Sequence, residues 1–510
     1  MDNLFVKISA AVLLFPPSML LFSYVISAEI RADKRLVIRE YDALEINNEN
    51  LQGYFDGTRI SNLRLMRYNQ GALQPIPFDI MEKDDNGNYI LDGVNKNVEW
   101  KGGTYEIKEE AIRAAGGIRK VRIVLVDNRD KLPGILDGTD QLVFLARDAG
   151  QRYIGDFSNA IKALEIQLLD PLNGNEAWVY LLDAEAYPMS PEDYVTYEFE
   201  KGEQIERVKM TGGAEVVFDL RRSAAYRDFV LPTNGGLDIV DSFRADVSFR
   251  LRPLWLTWLP RFSINPENST VAILVGFKDR VFALRVVKNK VDNFLLERHL
   301  GEEIKRSELV TVSHYFPNYQ YFAGTSRLSP KLKKWMKDLD MVTRTDFNEN
   351  ATGMWFYNSN NSLKYCLVDG KLDDYERQLN DDPYEWSMLT GENGGWANIL
   401  KMLNNKEKTR LHYDENKEKN IWGSTGYRWT KVEDVDAIQF VSYIFFLPPN
   451  AGPEFLQQLV NLVYHPLEVK LGRKFSSMSR DVGGFSPSTS KDKVFCSWMF
   501  QRENRPSCST

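Results

Sequence analysis

Apolar and polar positions alternate with a period near two along most of this chain, and tight polar turns cut the pattern into short runs. The clearest case is Phe243, Ala245, Val247, Phe249 and Leu251, interleaved with Arg244, Asp246, Ser248, Arg250 and Arg252. One face of such a strand is core and the other is wet and charged. Residues 36–40, 63–68, 121–126, 141–146, 164–169, 177–182 and 437–447 read as further strands. Residues 270–277 and 281–287 are apolar on both faces, and Lys278, Asp279 and Arg280 join them as a central hairpin. Pro75 and Pro77 restrict their segment to a sheet edge, because proline cannot donate to a ladder.

Turn chemistry fits the same picture. Residues 84–88, with Asn86-Gly87, form a hairpin turn, since Asn-Gly tolerates positive φ. The segment is not a calcium loop, because the glycine at the sixth position and the acid at the twelfth are missing. Helix signals are few. Pro453 opens one helix, where its missing N–H costs nothing. Phe455, Leu456, Leu459, Val460, Leu462 and Val463 give that helix an apolar face, and His465-Pro466 ends it. A short helix is expected around Leu332, Trp335 and Met336. Residues 400–422, crowded with Lys, Glu and Asn, read as a mobile loop or insertion. The tail from Ser476 reads as loose until Val494.

These elements predict a mainly β protein: an N-terminal β-sandwich followed by a larger antiparallel, supersandwich-like β-sandwich with few helices. The expected divisions are a signal segment at 1–28, the first sandwich at 29–186, the larger one at 187–475 and a tail at 476–510 with a possible terminal strand. The chain has 510 residues, 43% of them apolar and 26% charged, which is ordinary for a globular protein able to bury a large core. A net charge of −7 with no long basic run argues against a nucleic-acid partner.

The first residues read as an export signal. Lys7 precedes an apolar stretch from Ile8 to Ile26, and Ser27-Ala28 supplies small residues before Glu29. The stretch is also long enough to span a bilayer if it stays uncut. No later apolar run is that long, so no span is expected after cleavage, and the location implied is periplasmic or secreted. An exported chain can form disulfides. Cys496 and Cys508 could close a short loop, or those two and Cys366 could all be free thiols.

Pro75-Ile76-Pro77-Phe78, followed by Asp137 to Phe144, resembles the leading β-sandwich of some secreted polysaccharide-acting proteins. The resemblance implies a carbohydrate context and carries no catalytic residue.

Candidate chemistry is sparse. The four histidines, His299, His314, His412 and His465, are scattered and pair at no metal spacing. No nucleophile elbow, phosphate loop or dinucleotide fingerprint is present, so neither a metal nor a cofactor is expected. Residues 313–321 form the most suggestive cluster, with Arg327 nearby. Elimination across a uronic acid needs a cation on the carboxylate, a base and an acid. Arg327 or Arg344 would neutralise, and His314 and Tyr315 would move protons. The structural alternative is a loop whose tyrosines pack and hydrogen-bond. Asp369, Asp373, Asp374, Asp381 and Asp382 read as solvated turn residues rather than a glycosidase pair.

Residues 343–400 combine short strands, polar turns and aromatics, as a gripping surface would. Met354 and Phe356 share one strand face, and Trp355 and Tyr357 share the other. Trp and Tyr keep a polar handle, which suits a partly wet face where a sugar ring stacks. The alternative is that both faces are buried. Trp355, Tyr357, Trp386, Trp396, Tyr319, Tyr321 and Arg344 are therefore the candidate binding residues. The leading functional reading is recognition or processing of an extracellular carbohydrate. Its enzymatic form is a polysaccharide lyase acting on an acidic glycan. The rival is a non-catalytic envelope or surface-assembly protein, whose partner would be an envelope component.

N-terminal sequencing of native protein is expected to read from near Glu29. Recovery of Met1 in a membrane fraction would show the apolar stretch to be a retained anchor.

Overall fold

Strand alternation decides the layers before any long-range contact is considered. In the computed structural model, the strand Ala43–Asn47 turns Leu44 and Ile46 to one side and Ala43 and Glu45 to the other. The first pair enters the core of an N-terminal sandwich. The second pair faces the larger domain. The structure describes residues 39–476 apart from internal segments, chiefly 84–97, 108–121, 124–131, 220–228, 253–261, 265–271 and 295–306, together with Val494–Cys496. The expected strands at 36–40 and 121–126 and the turn at 84–88 lie largely outside the described residues, as do the signal segment and most of the tail.

The N-terminal sandwich packs a three-stranded sheet on a six-stranded one. The first has the order Ala43–Asn47, Gln141–Leu145, Asp79–Met81. The second begins with Ala72–Pro75 and Leu63–Asn69, then Glu176–Asp183 and Lys162–Leu169. Leu44, Ile46, Leu142 and Phe144 meet Leu65, Ile166, Leu168 and Leu181 between the two. Pro75 lies on the edge strand, as its missing N–H requires. The sheet is completed from the other end of the chain. Glu468–Ser476 pairs antiparallel with Lys162–Leu169, and Val494–Cys496 pairs with Glu468–Ser476 in turn. Residues 468–475, grouped with the larger domain on sequence, thus return to the N-terminal sheet.

The larger domain is a second antiparallel sandwich. A nine-stranded sheet runs in the order Ala272–Val281, Val286–Phe294, Ser307–Phe316, Tyr319–Arg327, Ile438–Leu447, Gly394–Met402, Trp386–Gly391, Trp355–Asn358, Cys366–Leu367. A five-stranded sheet runs Phe262–Ile264, Val240–Leu251, Met336–Phe347, Ile421–Trp429, Thr409–Asn416. Their facing sides interlock through aromatics. Phe356 stacks on Tyr413 at 4.3 Å, Phe347 meets Trp396 edge-on at 5.7 Å, and Trp429 lies 4.8 Å from Phe440. The outer face of the nine-stranded sheet is covered too. Helix α1 (Pro453–Tyr464) lays Leu456, Leu459, Val460, Leu462 and Val463 on it, and Ala43, Val143 and Leu145 cover it from the N-terminal sandwich.

Three sequence expectations need correction. Residues 400–422 are not a loop: Thr409–Asn416 and the start of Ile421–Trp429 lie within them. Thr409, Leu411 and Glu415 point inward while Arg410, His412 and Asp414 face out, so the charge is the outer side of a half-buried strand. The hairpin at 270–287 turns later than expected. Ala272–Val281 runs through Lys278, Asp279 and Arg280 and pairs with Val286–Phe294. The short helix expected near Leu332 is present at Lys333 and Lys334 but does not reach Met336, which opens the strand Met336–Phe347; Leu332 and Trp335 lie outside the described residues.

Two polar clusters hold the frame. Fully buried Arg39 bonds Asp170 at 2.7 Å and Asp42 at 3.2 Å, and donates to the His465 carbonyl at 2.8 Å. It joins the N-terminal sandwich to the end of helix α1. Beneath the edge of the nine-stranded sheet, one Glu415 carboxylate oxygen accepts from the backbone N–H of Asp369 and Gly370, while the other accepts from the Tyr413 hydroxyl. Glu376 exchanges backbone–carboxylate bonds with Asp373. This carboxylate pair pins the acidic loop in place. Burial first, then the charges of Glu415 and Asp373, push Glu376 from 4.5 up to about 7.

Arg39→Met is expected to cost about 3–5 kcal/mol in urea unfolding, because Asp170 would stay buried without its counter-charge. Glu376 holds a proton in the folded state that the unfolded chain has released. Its contribution is therefore full below about pH 4.5 and is lost as pH rises through about 7. Glu376→Gln should flatten the fall of the urea midpoint across that window.

Candidate ligand-binding site

The site begins with a four-residue strand framed by two turns. Gly353 takes a φ of +82°, which lets Met354 leave the preceding turn and enter the ladder. At the other end the buried Asn358 side chain accepts from the backbone N–H of Asn360 and of Asn361, both at 3.0 Å, and closes the turn. Between them, Trp355 pairs with Thr390 on one side and with Leu367 on the other. Beyond the two-residue strand Cys366–Leu367 no further strand of this sheet follows among the described residues.

Alternation then sorts the side chains. Phe356 is fully buried, whereas Trp355 is 41% exposed. Tyr357, on the same face as Trp355, is half-buried against Met388 and the helix layer. Across the strand edge Tyr365 is 55% exposed and Leu367 is 48% exposed. The Tyr365 ring lies 5.9 Å from Trp355 and 6.0 Å from Tyr357. Three amphipathic rings thus converge at the free margin of the sheet. Burial, then Tyr365 and Glu454, raise the Tyr357 phenol above its usual range, so its hydroxyl stays neutral and able to donate. Cys366, buried between them, is a free thiol pushed up to about 12 by burial and by Glu376 and Glu415, and is inert as a nucleophile.

The other sequence candidates go elsewhere. His314 and Tyr315 are consecutive in Ser307–Phe316 and point to opposite faces. His314 is buried beneath the N-terminal sandwich, stacked at 4.3 Å on Tyr321 and 3.8 Å from Glu45, while Tyr321 donates to Glu45. Tyr315 lies inside the larger sandwich. Arg327 falls six residues past Tyr321, the strand partner of His314, which is about 20 Å along the sheet. His314 and Tyr315 thus open onto different layers. Tyr319, Tyr321 and Trp386 are buried on the covered outer face, and Trp396 is buried between the sheets.

Arg344 projects from the five-stranded sheet on the side away from its core. It pairs with Asp246 at 3.2 Å and lies 3.5 Å from Asp346, whose Oδ1 accepts from Ser424 at 2.6 Å. His412 lies in the same cross-strand row beyond Gly426, pushed down to about 3 by burial and then by Arg344 and Arg428. Arg344 and Trp355 thus occupy opposite outer faces of the sandwich. Of the expected residues, Trp355 and Tyr357 come together. Tyr365 and Leu367 join them, although sequence reasoning named neither as a site residue; their signal was the alternation Tyr365, Cys366, Leu367 beside a polar turn.

No protein-family model matches the chain, and no curated protein matches it in sequence. Among solved structures, an alpha-mannosidase from Enterococcus faecalis V583 matches over 85% of this chain and 43% of its own, at 8% identity and a TM-score of 0.39. An alpha-N-acetylgalactosaminidase from Bifidobacterium bifidum matches over 54% of this chain and 39% of its own, at 6% identity and a TM-score of 0.32. A xanthan lyase from Paenibacillus matches over 55% of this chain and 28% of its own, at 8% identity and a TM-score of 0.24. The chain spans less than half the length of each of these proteins.

Proposed function

We propose that this is an exported carbohydrate-binding protein whose glycan-contacting surface is the Trp355, Tyr357 and Tyr365 platform. Export rests on the signal-like first residues. The binding site rests on one observation: Trp355 stands 41% exposed beside the exposed Tyr365 ring, while Phe356, its chain neighbour, is fully buried. Leaving a tryptophan in water forgoes stabilisation that burial would supply, since a large apolar side chain gains roughly 1.5–3 kcal/mol on leaving water. Aromatic faces with polar rims take the C–H faces of sugar rings, and the Tyr hydroxyls and the Asn-rich turn offer hydrogen bonds at the rim. Elimination chemistry is not part of this reading, because its expected residues do not converge.

Leu367 supports a second reading. An exposed leucine on an edge strand suits a protein partner in envelope assembly.

Affinity electrophoresis through gels containing soluble polysaccharides separates the two. Trp355→Ala should abolish retardation while shifting the urea unfolding free energy by about 1 kcal/mol or less. Phe356→Ala should cost about 3–5 kcal/mol. Equal destabilisation by the two variants would make Trp355 a packing residue. Absence of retardation by every polysaccharide would favour the assembly reading.

A further inference from the structure

We propose that Glu454 sets the charge preference of this platform, so that it admits neutral and amine-bearing sugars and turns away glycans built from uronic acids. The inference rests on the carbohydrate reading of the same site. Its geometry runs through Thr390, the strand partner of Trp355. The Thr390 hydroxyl donates to the Ala451 carbonyl at 2.9 Å, and the Asn450 N–H donates to the Gly391 carbonyl at 2.8 Å. These bonds fix the start of helix α1 beside the exposed rings. Glu454 is the second residue of that helix and is exposed.

A bare helix N-terminus would attract a sugar carboxylate. Here that position is already taken. A Cβ on Gly452 would sit 2.8 Å from Glu454 Oε2, so the carboxylate folds back over the first turn. The charge of Glu454 also reaches Tyr357. Glu392, exposed in the turn after Thr390 and Gly391, adds a second negative charge. The nearest cation in sequence faces elsewhere: Lys364, next to Tyr365, lies over the Tyr375 ring at 5.0 Å. Arg344 is on the opposite face of the sandwich. A uronate would thus meet the like charge of Glu454 and Glu392, whereas a hydroxyl or ammonium finds an acceptor.

The test uses the full chain in gels containing galactomannan, chitosan or polygalacturonate. Trp355→Ala, with unchanged net charge, is run as the baseline for non-specific retardation, and Glu198→Gln controls for the loss of one charge elsewhere. The parent should be retarded by galactomannan and chitosan above that baseline and not by polygalacturonate. Glu454→Gln should weaken chitosan binding and strengthen polygalacturonate binding, each by about two- to fivefold, the range of one exposed charge interaction. Polygalacturonate retarding the parent as strongly as galactomannan would overturn the proposal. So would a Glu454→Gln variant whose preference matches that of Glu198→Gln. If no polysaccharide retards the parent beyond Trp355→Ala, the carbohydrate reading itself falls.

Discussion

The packing of the nine-stranded sheet against the five-stranded sheet is the constraint on which the rest of the molecule depends. Phe356, Trp396, Phe440 and Phe446 on one side fit Phe347, Leu411, Tyr427 and Trp429 on the other. Once that inner face is filled, period-two alternation leaves every second side chain on the outside of each sheet. The nine-stranded sheet carries apolar residues there as well, among them Met388, Ile399 and Phe445. They need a third layer, which helix α1 and one face of the N-terminal sandwich supply. The outside of the five-stranded sheet is polar instead: buried Asp346 and Ser424 bond each other there, and Arg344 lies beside them.

The covering layer stops short of the sheet edge. Trp386, Tyr319 and Tyr321 lie under it, while Trp355, on the same face, lies at the margin. The candidate site therefore arises where a layer ends, without a deep cleft being required. A short edge strand, an asparagine turn and a pinned acidic loop hold the rings there. Burial of Glu415 and Glu376 beneath that edge ties the loop to the sandwich. It also makes this part of the molecule sensitive to pH, whereas the aromatic packing is not.

Buried polar groups elsewhere join layers and do no visible chemistry. Glu45 reaches across from the N-terminal sandwich to Tyr321 and His314, and Arg39 gathers Asp42, Asp170 and the end of helix α1. Such groups are costly to desolvate and costly to break, so they fix one docking arrangement among several that apolar packing alone would allow. The return of Glu468–Ser476 to the N-terminal sheet has the same effect through the backbone.

Local alternation in the sequence determined the β class, helix α1, most strand positions and the split of Met354 and Phe356 from Trp355 and Tyr357. These depend on neighbours one to four residues apart. It missed Thr409–Asn416 because Arg410, His412 and Asp414 on its other face, and the lysines and glutamates flanking the strand, masked the inward Thr409, Leu411 and Glu415. It gathered His314, Tyr315 and Arg327 because closeness along a chain resembles closeness in space, although adjacent strand residues face opposite ways. Which outer face would be covered, and where the cover would end, was decided only by the tertiary structure. Trp355 and Trp386 carry the same apolar signal in the sequence. One is exposed and the other buried because helix α1 and the N-terminal sandwich, assembled from residues distant in the chain, reach one and stop before the other.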